Sequence, residues 1–188
     1  MLSVVIPPDI YPITVGDAAY HMRIITLDTD ETEYIQGLIV TATSFAENYM
    51  RGIACAEQTL DLSIDQFSDI INLPKNPVKS ITYINYIDTD GEEQTLDTSL
   101  YSTDILSWPA RIMPAYGQSW PAVRDIMNAV TVRFVAGFDT IPENIKSAIR
   151  IIVGELYEKR EQTQSGYRFH DVNLNAQALL NQTMLYEF

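Results

Sequence analysis

The sequence predicts an α+β fold: a helical bundle of two long helices and a short one, with an inserted small antiparallel β-sheet and an extended C-terminal tail. Two observations lead to this prediction. Apolar side chains recur with helical spacing over residues 28–52 and again over residues 141–161. Between these stretches the spacing becomes strand-like, as in residues 59–65, where Leu60 and Leu62 alternate with polar residues. Strands grouped between helices argue against alternating βαβ units.

Each predicted helix begins with a recognisable capping sequence. Thr14 followed by Asp17 has the spacing of a capping box and begins the short helix. Asp28 precedes a first turn rich in carboxylates, which the helix dipole stabilises by about 0.3 to 1 kcal/mol. Thr140 and Glu143 have capping-box spacing at the start of the last main helix. These signals place all three helix starts.

The strand region contains a hairpin signal. Val78–Ile87 is rich in β-branched and aromatic residues, and residues 92–96 follow it across Asp88-Thr89-Asp90-Gly91, where Asp-Gly favours a tight turn. Two further strands are expected, over residues 101–105 and 129–136. Residues 1–13 are rich in proline and are expected to form an extended arm.

The length of 188 residues is most simply accommodated by one main domain. We expect a single domain over residues 1–162, with the helical bundle at 14–52 plus 140–162 and the β insert at 57–137. Residues 163–188 are rich in Gln and Asn and weakly patterned, so they are expected to form a tail that docks on a partner.

The charge of the chain is strongly acidic and unevenly distributed along the sequence. Twelve Lys and Arg residues stand against 25 Asp and Glu residues, giving a net charge of −13. Residues 1–104 hold 17 acidic and 4 basic residues, whereas residues 105–188 hold 8 of each. A protein that grips nucleic acid needs a basic surface, so we expect this chain not to bind DNA specifically, although it can lie beside it.

Membrane insertion, export, a disulfide bond and a structural zinc site are not expected. No apolar run approaches the roughly 18 residues of a membrane span, and the apolar start reaches Pro7-Pro8 without a basic leader. The lone Cys55 has no partner for a disulfide, and one Cys with two His residues cannot make a closed zinc site. We therefore expect a soluble protein made in the cytoplasm.

No catalytic, metal or cofactor site is recognisable. The stretch from Asp88 to Glu92 lacks the ligand spacing of a calcium loop and is interpreted as a hairpin turn. His170-Asp171 could pair for proton transfer, but no Ser or Cys of the sequence lies in a nucleophile motif. Cys55 is interpreted as a buried thiol. The sequence therefore predicts a protein that is not an enzyme and binds no cofactor.

Large aromatic and apolar residues indicate partner contacts instead. Trp108, Tyr116 and Trp120 lie in a proline-rich connection, where they either form a contact surface or plug one end of the sheet. In the tail region, four further residues are candidate partner contacts: Tyr167, Leu179, Leu180 and Met184.

Several segments carry a family resemblance when they are taken in order. They are Leu73-Pro74-Lys75-Asn76-Pro77-Val78, Ser80-Ile81, Tyr86-Ile87-Asp88-Thr89-Asp90-Gly91, Leu100-Tyr101, Ser119-Trp120-Pro121, Val130-Thr131-Val132, Gly137, Ile141-Pro142-Glu143 and Tyr157-Glu158-Lys159-Arg160-Glu161. Their order and spacing together resemble the head-tail connector (adaptor, neck) proteins of long-tailed bacteriophages and prophages, over about residues 13 to 161.

The resemblance implies a structural virion protein without enzymatic activity. Such adaptors form a ring, commonly of twelve subunits, that docks under the portal protein of the filled head and receives a neck stopper or tail-completion protein. It implies for this chain a place in the head-tail neck after synthesis in the host cytoplasm. Leu179-Leu180 is similar to a leucine pair near the end of the family's sequences.

Physical reasoning adds a hypothesis about the ring. A closed ring requires two complementary surfaces on each subunit, and a DNA channel requires a wall that does not bind phosphate. We expect acidic residues to line that channel or face solvent: Asp88, Asp90, Glu92 and Glu93. The charge-balanced last helix and tail are expected to meet the portal.

Two functions from other classes remain open at this stage. An acidic protein can mimic DNA and inhibit a nuclease or repressor, which requires carboxylates in two phosphate-spaced rows on one surface. Inhibition of a restriction nuclease would indicate such a mimic. A hydrolase is the third alternative, and it would be indicated by turnover of ester, phosphate or glycoside substrates.

Overall fold

The computed structural model describes residues 1–159 and 174–183. The chain forms two compact units, and each is built from two separate segments of the sequence. The strand unit consists of Met1–Asp9 and Glu57–Phe138. The helical unit consists of Ile10–Ala56 and the described residues from Asp139 onward.

The strand unit, all of whose residues are described, contains eight strands in two antiparallel sheets. The strands are β1 (Leu2–Ile6), β2 (Gln58–Ile64), β3 (Ile71–Leu73), β4 (Val78–Ile87), β5 (Glu93–Thr95), β6 (Tyr101–Asp104), β7 (Ala110–Pro114) and β8 (Val130–Ala136). The larger sheet has the order β1-β2-β8-β4-β5, and the smaller one has the order β3-β7-β6. A short 3₁₀ helix, Thr98–Leu100, leads into β6.

Strand β8 supplies the centre of the core of the strand unit. Its buried residues alternate with half-buried ones, as the period of two in a strand requires. Phe134 is fully buried and is paired in register with Leu60 of β2, while Val132 is paired with Leu62. The predicted inward face of β2 is therefore confirmed at these two leucines.

The opposite face of the same strands carries a polar cluster. Asp61, Arg133 and Tyr83 are neighbours in register on β2, β8 and β4. The Arg133 guanidinium donates to both Asp61 carboxylate oxygens, at 2.8 and 2.7 Å, and lies 4.9 Å from the centre of the Tyr83 ring. Hydrogen bonding to Asp61 raises the pKa of Arg133. This cluster ties three adjacent strands together.

Within its described residues, the helical unit contains four helices: α1 (Val15–His21), α2 (Thr29–Tyr49), α3 (Glu143–Glu158) and α4 (Leu174–Asn181). Helix α3 packs on α2 and on α4, and α1 contacts both α2 and α3. The core is formed by the apolar faces of these helices. Its most buried members include Ile35, Ile39, Ile145, Ile149, Val153 and Leu180.

Two of the predicted helix starts are confirmed by their hydrogen bonds. Thr14 Oγ1 accepts from the backbone N–H of Asp17 at 3.1 Å, and the Asp17 carboxylate accepts from the Thr14 backbone at 2.9 Å. The bond from the Thr14 backbone N–H and a second one from the Thr14 hydroxyl, at 2.8 Å, lower the pKa of the Asp17 carboxyl. Asp28 caps α2 by accepting from the backbone N–H of Glu31 at 2.7 Å.

The capping box predicted at Thr140 and Glu143 is wrong. Helix α3 begins after Pro142, and no side chain caps it. Glu143 instead accepts a hydrogen bond from Lys146 at 2.9 Å, and its other carboxylate oxygen lies 3.8 Å from Arg150. The carboxylate therefore pairs with cations along the helix rather than turning back to the backbone.

The predicted architecture, a helical bundle of two long helices and a short one with a small inserted sheet, is also wrong, although the fold is a mixed α+β fold. The eight strands form a unit with its own buried core. Three strands were not predicted as such: β1, β3 and β7. They have three to five residues, which is too few to establish a period, and prolines lie in or beside them.

The prediction of an extended tail is wrong for residues 174–181, which form α4. The helix packs on α3 and buries Ala176 and Leu180. The Asn144 side chain of α3 donates to the Leu179 carbonyl at 2.9 Å and to Thr183 Oγ1 at 2.7 Å. The end of α4 is therefore held by both apolar and polar contacts.

Candidate protein-interaction surface

Trp120 belongs to an aromatic cluster on the strand unit. Its ring stacks on Phe67, with 4.6 Å between ring centres and an angle of 7° between the planes. Phe67 in turn makes an edge contact with Tyr86 at 5.9 Å. The indole N–H of Trp120 donates to the Ser68 carbonyl at 2.7 Å, so its one polar atom is satisfied. Trp120 is thus anchored and half-buried.

Trp108 and Tyr116 have different surroundings. Trp108 is half-buried and lies at a tilted angle to Phe138, with 6.4 Å between ring centres. Tyr116 is fully exposed. Within the strand unit the rings of Trp108, Tyr116 and Trp120 do not stack on one another. Both tryptophans therefore pack on the unit, while Tyr116 presents its whole ring to solvent.

The connections around β7 expose further apolar side chains that sequence reasoning missed. Leu106 precedes β7, Met113 lies on it, and Ile126 and Met127 precede β8; all four are exposed. Large apolar side chains exposed in proline-rich connections are characteristic of contact surfaces. Their residue types were visible in the sequence, but the exposure of Met113 depends on β7, which was not predicted.

Asp88 organises the acidic hairpin. Its Oδ1 accepts from the backbone N–H groups of Asp90, Gly91 and Glu92, each at 3.0 Å, and its Oδ2 accepts from the Gln94 side chain at 2.9 Å. The Gln94 hydrogen bond, followed by the backbone bonds, lowers the pKa of Asp88. Both oxygens of this carboxylate therefore stabilise the turn.

The other three acidic residues of the hairpin are exposed. The Glu93 carboxylate accepts from the Asn85 side chain at 2.9 Å across β4 and β5. Asp90 and Glu92 carry their carboxylates at the surface. The Arg124 side chain lies against Gly91, where a β-carbon would come within 2.1 Å of its Nη1. The hairpin thus combines exposed acids with one nearby cation.

The tail candidates are only partly described. Leu180 is fully buried in the helical unit, and Leu179 is half-buried beside it. Tyr49 of α2 donates to the Asn181 side chain at 3.0 Å, which adds a second polar contact near the end of α4. Tyr167 and Met184 lie outside the described residues, as does His170-Asp171.

No metal-binding or membrane-spanning element is found in the described parts of the chain. Among residues 1–159 and 174–183, no group of three or more His, Cys, Asp or Glu side chains is placed to hold a metal ion. No helix in these ranges is long and apolar enough to cross a bilayer. Cys55 is buried, and its backbone N–H donates to Glu47 at 2.8 Å.

No protein-family model and no curated protein matches the sequence. Solved structures do. A chain in the neck of the empty gene transfer agent particle, computed with C6 symmetry, is 21% identical with a TM-score of 0.78. A chain of the native gene transfer agent virion is 19% identical with a TM-score of 0.76, and one in the native particle's neck, computed with C12 symmetry, is 19% identical with a TM-score of 0.70.

This chain has the fold of those neck and virion chains. Each match covers 100% of this chain and 97% of the other, so both units are included. At this level of identity the likeness establishes the fold, and function has to be argued from the surfaces.

Proposed function

We propose that this protein is a structural component of a virion neck, a head-tail connector that forms a ring beneath the portal and leaves a channel for DNA. The observation that carries the proposal is the fold likeness over the whole chain to chains from neck structures. The resemblance of the sequence to head-tail connectors supports the same role independently. The protein then has no substrate, cofactor or metal to bind.

The ring is supported by the symmetry of the similar structures. Two of the three similar chains come from necks, which were computed with C6 and C12 symmetry. Subunits in such a ring meet through two different surfaces that close by rotation. We propose a ring of identical copies, with twelve as the expected number from the connector resemblance.

The acidic hairpin is the proposed channel-facing or solvent-facing element. Asp90, Glu92 and Glu93 are exposed, and Asp88 holds the turn that presents them. Carboxylates repel phosphates, so a wall bearing them does not hold passing DNA. The net charge of −13 has the same effect at longer range.

The portal protein and a neck stopper or tail-completion protein are the proposed partners. Of the residues that the structure describes, Tyr116 offers the most exposed aromatic ring for such contacts, with Trp108 and Trp120 packed at the surface of the same unit. Leu179, Tyr167 and Met184 remain the proposed contacts of the tail region, whereas Leu180 is fully buried in the helical unit and does not present its side chain to a partner. The protein is made in the host cytoplasm and ends in the head-tail neck of the virion.

The DNA-mimic alternative is disfavoured by the way the carboxylates are used. Asp61 is paired with Arg133, and Asp65 accepts from the Asn128 backbone at 2.8 Å. Both carboxylate oxygens of Asp88 accept hydrogen bonds within the hairpin. A mimic needs free carboxylates in rows, whereas these three are engaged in internal bonds.

Native mass spectrometry of the purified chain, alone and mixed with portal rings from the same virus, tests the proposal. We expect the mixture to give a portal complex carrying a ring of this chain. Tyr116→Ala should weaken that complex without unfolding the protein, because the ring of Tyr116 is exposed and outside the core. Particles that remain fully infectious after deletion of the gene would contradict the neck function.

A further inference from the structure

An open pocket in the helical unit gathers positive charge in an otherwise acidic chain. It lies beside the end of α1 and is lined by Asp17, Tyr20, His21, Arg23, Ile24, Ile25 and Arg150. All of these residues except Arg150, which lies on α3, come from α1 and the segment just after it. The pocket therefore contains two permanent cations, one imidazole and one carboxylate.

The single carboxylate in the pocket does not neutralise the two arginines. The Oδ2 atom of Asp17 is occupied by the Thr14 backbone N–H and hydroxyl, at 2.9 and 2.8 Å. Arg150 makes a long ion pair with Glu143, at 3.8 Å. Arg23 makes no ion pair with the residues that the structure describes. The guanidinium groups thus retain hydrogen-bond donors for a ligand.

Arg23 occupies a backbone position that favours glycine. It follows α1 with a φ of +59°, and the chain there closes with Arg23 N–H bonded to the Tyr20 carbonyl at 3.2 Å and Ile24 N–H to the Ala19 carbonyl at 2.9 Å. This is the Schellman helix ending, in which glycine is usual because it has no β-carbon. An arginine there is less favourable for the backbone than glycine, so Arg23 can be replaced by glycine without an expected loss of stability.

The rim of the pocket is apolar. Ile25 is 98% exposed and Tyr20 is 88% exposed, and both line the pocket beside the arginines. Exposed large apolar side chains next to two arginines match a ligand that carries carboxylates and an apolar side chain together.

We propose that this pocket is a docking site for an acidic peptide segment of a partner protein, with carboxylates on Arg23 and Arg150 and an apolar side chain against Tyr20 and Ile25. A peptide fits better than duplex nucleic acid, because it can place an apolar side chain on the rim beside its carboxylates, whereas the outer surface of a duplex presents phosphates and sugars. The chemistry of the pocket is independent of the proposed neck function.

The site can be tested by titrating the isotope-labelled full chain with a blocked hexapeptide of sequence DELDFE while recording amide NMR spectra. We expect shifts at residues 20–25 and at Arg150, with affinity that falls as salt is raised. Arg23→Gly and Arg150→Gln should each weaken binding by about fivefold. The uncharged peptide NQLNFQ should bind more weakly than DELDFE.

Arg23→Gly also separates binding from folding. Because glycine suits the backbone at this position, the variant should melt at the same or a higher temperature while losing affinity. Arg51→Gly is the matched control, since Arg51 also follows a helix in this unit with a positive φ, of +47°, but lies outside the pocket. It should leave peptide binding unchanged.

Three results would overturn the proposal. They are wild-type affinity in both Arg23→Gly and Arg150→Gln, shifts confined to residues outside the pocket, and no saturable binding of DELDFE up to about 5 mM. Equal or tighter binding of a short DNA duplex at the same residues would assign the pocket to nucleic acid instead.

Discussion

Asp88 illustrates how one surface carboxylate can determine the geometry of an acidic loop. Four hydrogen bonds converge on it, three of them from backbone N–H groups of the turn. The neighbouring Asp90 and Glu92 contribute only their backbone N–H groups to this network and leave their carboxylates exposed. Asp88 therefore builds the turn, whereas the carboxylates of Asp90 and Glu92 are exposed for contacts with other molecules.

Replacement of Asp88 by alanine should lower the melting temperature by about 2 to 4 °C at neutral pH. The pKa of Asp88 is lowered in the folded state from its ordinary value of 3.8, so its stabilising effect is present above that value. It is lost as the pH falls below 3.8 towards the folded pKa. The difference between the two proteins should therefore shrink in acid, as calorimetry can measure.

The matched control for this experiment is Asp90→Ala, which removes an exposed carboxylate from the same turn. Its melting temperature should stay close to that of the wild type at every pH. A pH-independent difference between Asp88→Ala and wild type would show that the charge of Asp88 is not the cause.

Arg133→Lys should destabilise the strand unit by about 1 kcal/mol, because lysine cannot donate two parallel hydrogen bonds to Asp61 or lie flat on the Tyr83 ring. Urea denaturation measures the change in the free energy of unfolding. Arg51→Lys, at an exposed position, should leave this free energy unchanged. An equal loss in both variants would mean that the Asp61 cluster contributes nothing specific.

At the level of elements, some local signals predicted the outcome correctly, although the capping box predicted at Thr140 and Glu143 did not form. The starts of α1 and α2 follow from Thr14 and Asp28, whose side chains bond to the backbone three residues on. The hairpin of β4 and β5 follows from the Asp-Gly turn. These features depend on neighbours in sequence and were therefore readable without the structure.

Long-range pairing limited the rest of the prediction. Strand β3 pairs with β7, and its middle residue Asn72 lies opposite Arg111, which is 39 residues further along the chain. Neither strand has a recognisable strand period in its sequence. The candidate site shares this limit, because the exposure of Met113 depends on the sheet that contains it. Arg23 and Arg150 meet only through the packing of α1 on α3, so no sequence motif indicated their pocket.

Helix α4 offers a test of whether the end of the described chain is part of the cooperative fold. Leu180→Ala should cost about 2 to 5 kcal/mol of unfolding free energy, because the side chain is fully buried. Leu174→Ala in the same helix should cost little, since Leu174 is 81% exposed. Equal, small effects in urea denaturation would indicate that α4 is docked only weakly on α3.

At the scale of the whole molecule, the acidic charge is shared by both units. The strand unit holds 12 acidic and 5 basic residues, and the helical unit, counted to Phe188, holds 13 and 7. The excess of acidic residues in positions 1–104 does not correspond to one unit, because each unit is built from two separate segments of the chain. Any two copies of the protein therefore repel each other through both units.

Self-association of the chain should strengthen as sodium chloride is raised from about 20 to 200 mM, because salt screens this repulsion. Sedimentation velocity at several protein concentrations measures the effect. The acidic peptide should show the opposite salt response at the Arg23 pocket. Weaker self-association at higher salt would mean that ion pairs, rather than repulsion, dominate the contacts between copies.

The position of β8 in the sheet has a consequence for biosynthesis. This strand pairs with both β2 and β4 in the middle of the larger sheet, yet it is the last strand of the unit to be translated. Until it leaves the ribosome, β1 and β2 have no bond to β4 and β5, and a nascent chain would expose these edges to chaperones and to other nascent chains. Ribosome-associated intermediates of this protein should therefore leave the larger sheet incomplete until β8 has emerged from the exit tunnel.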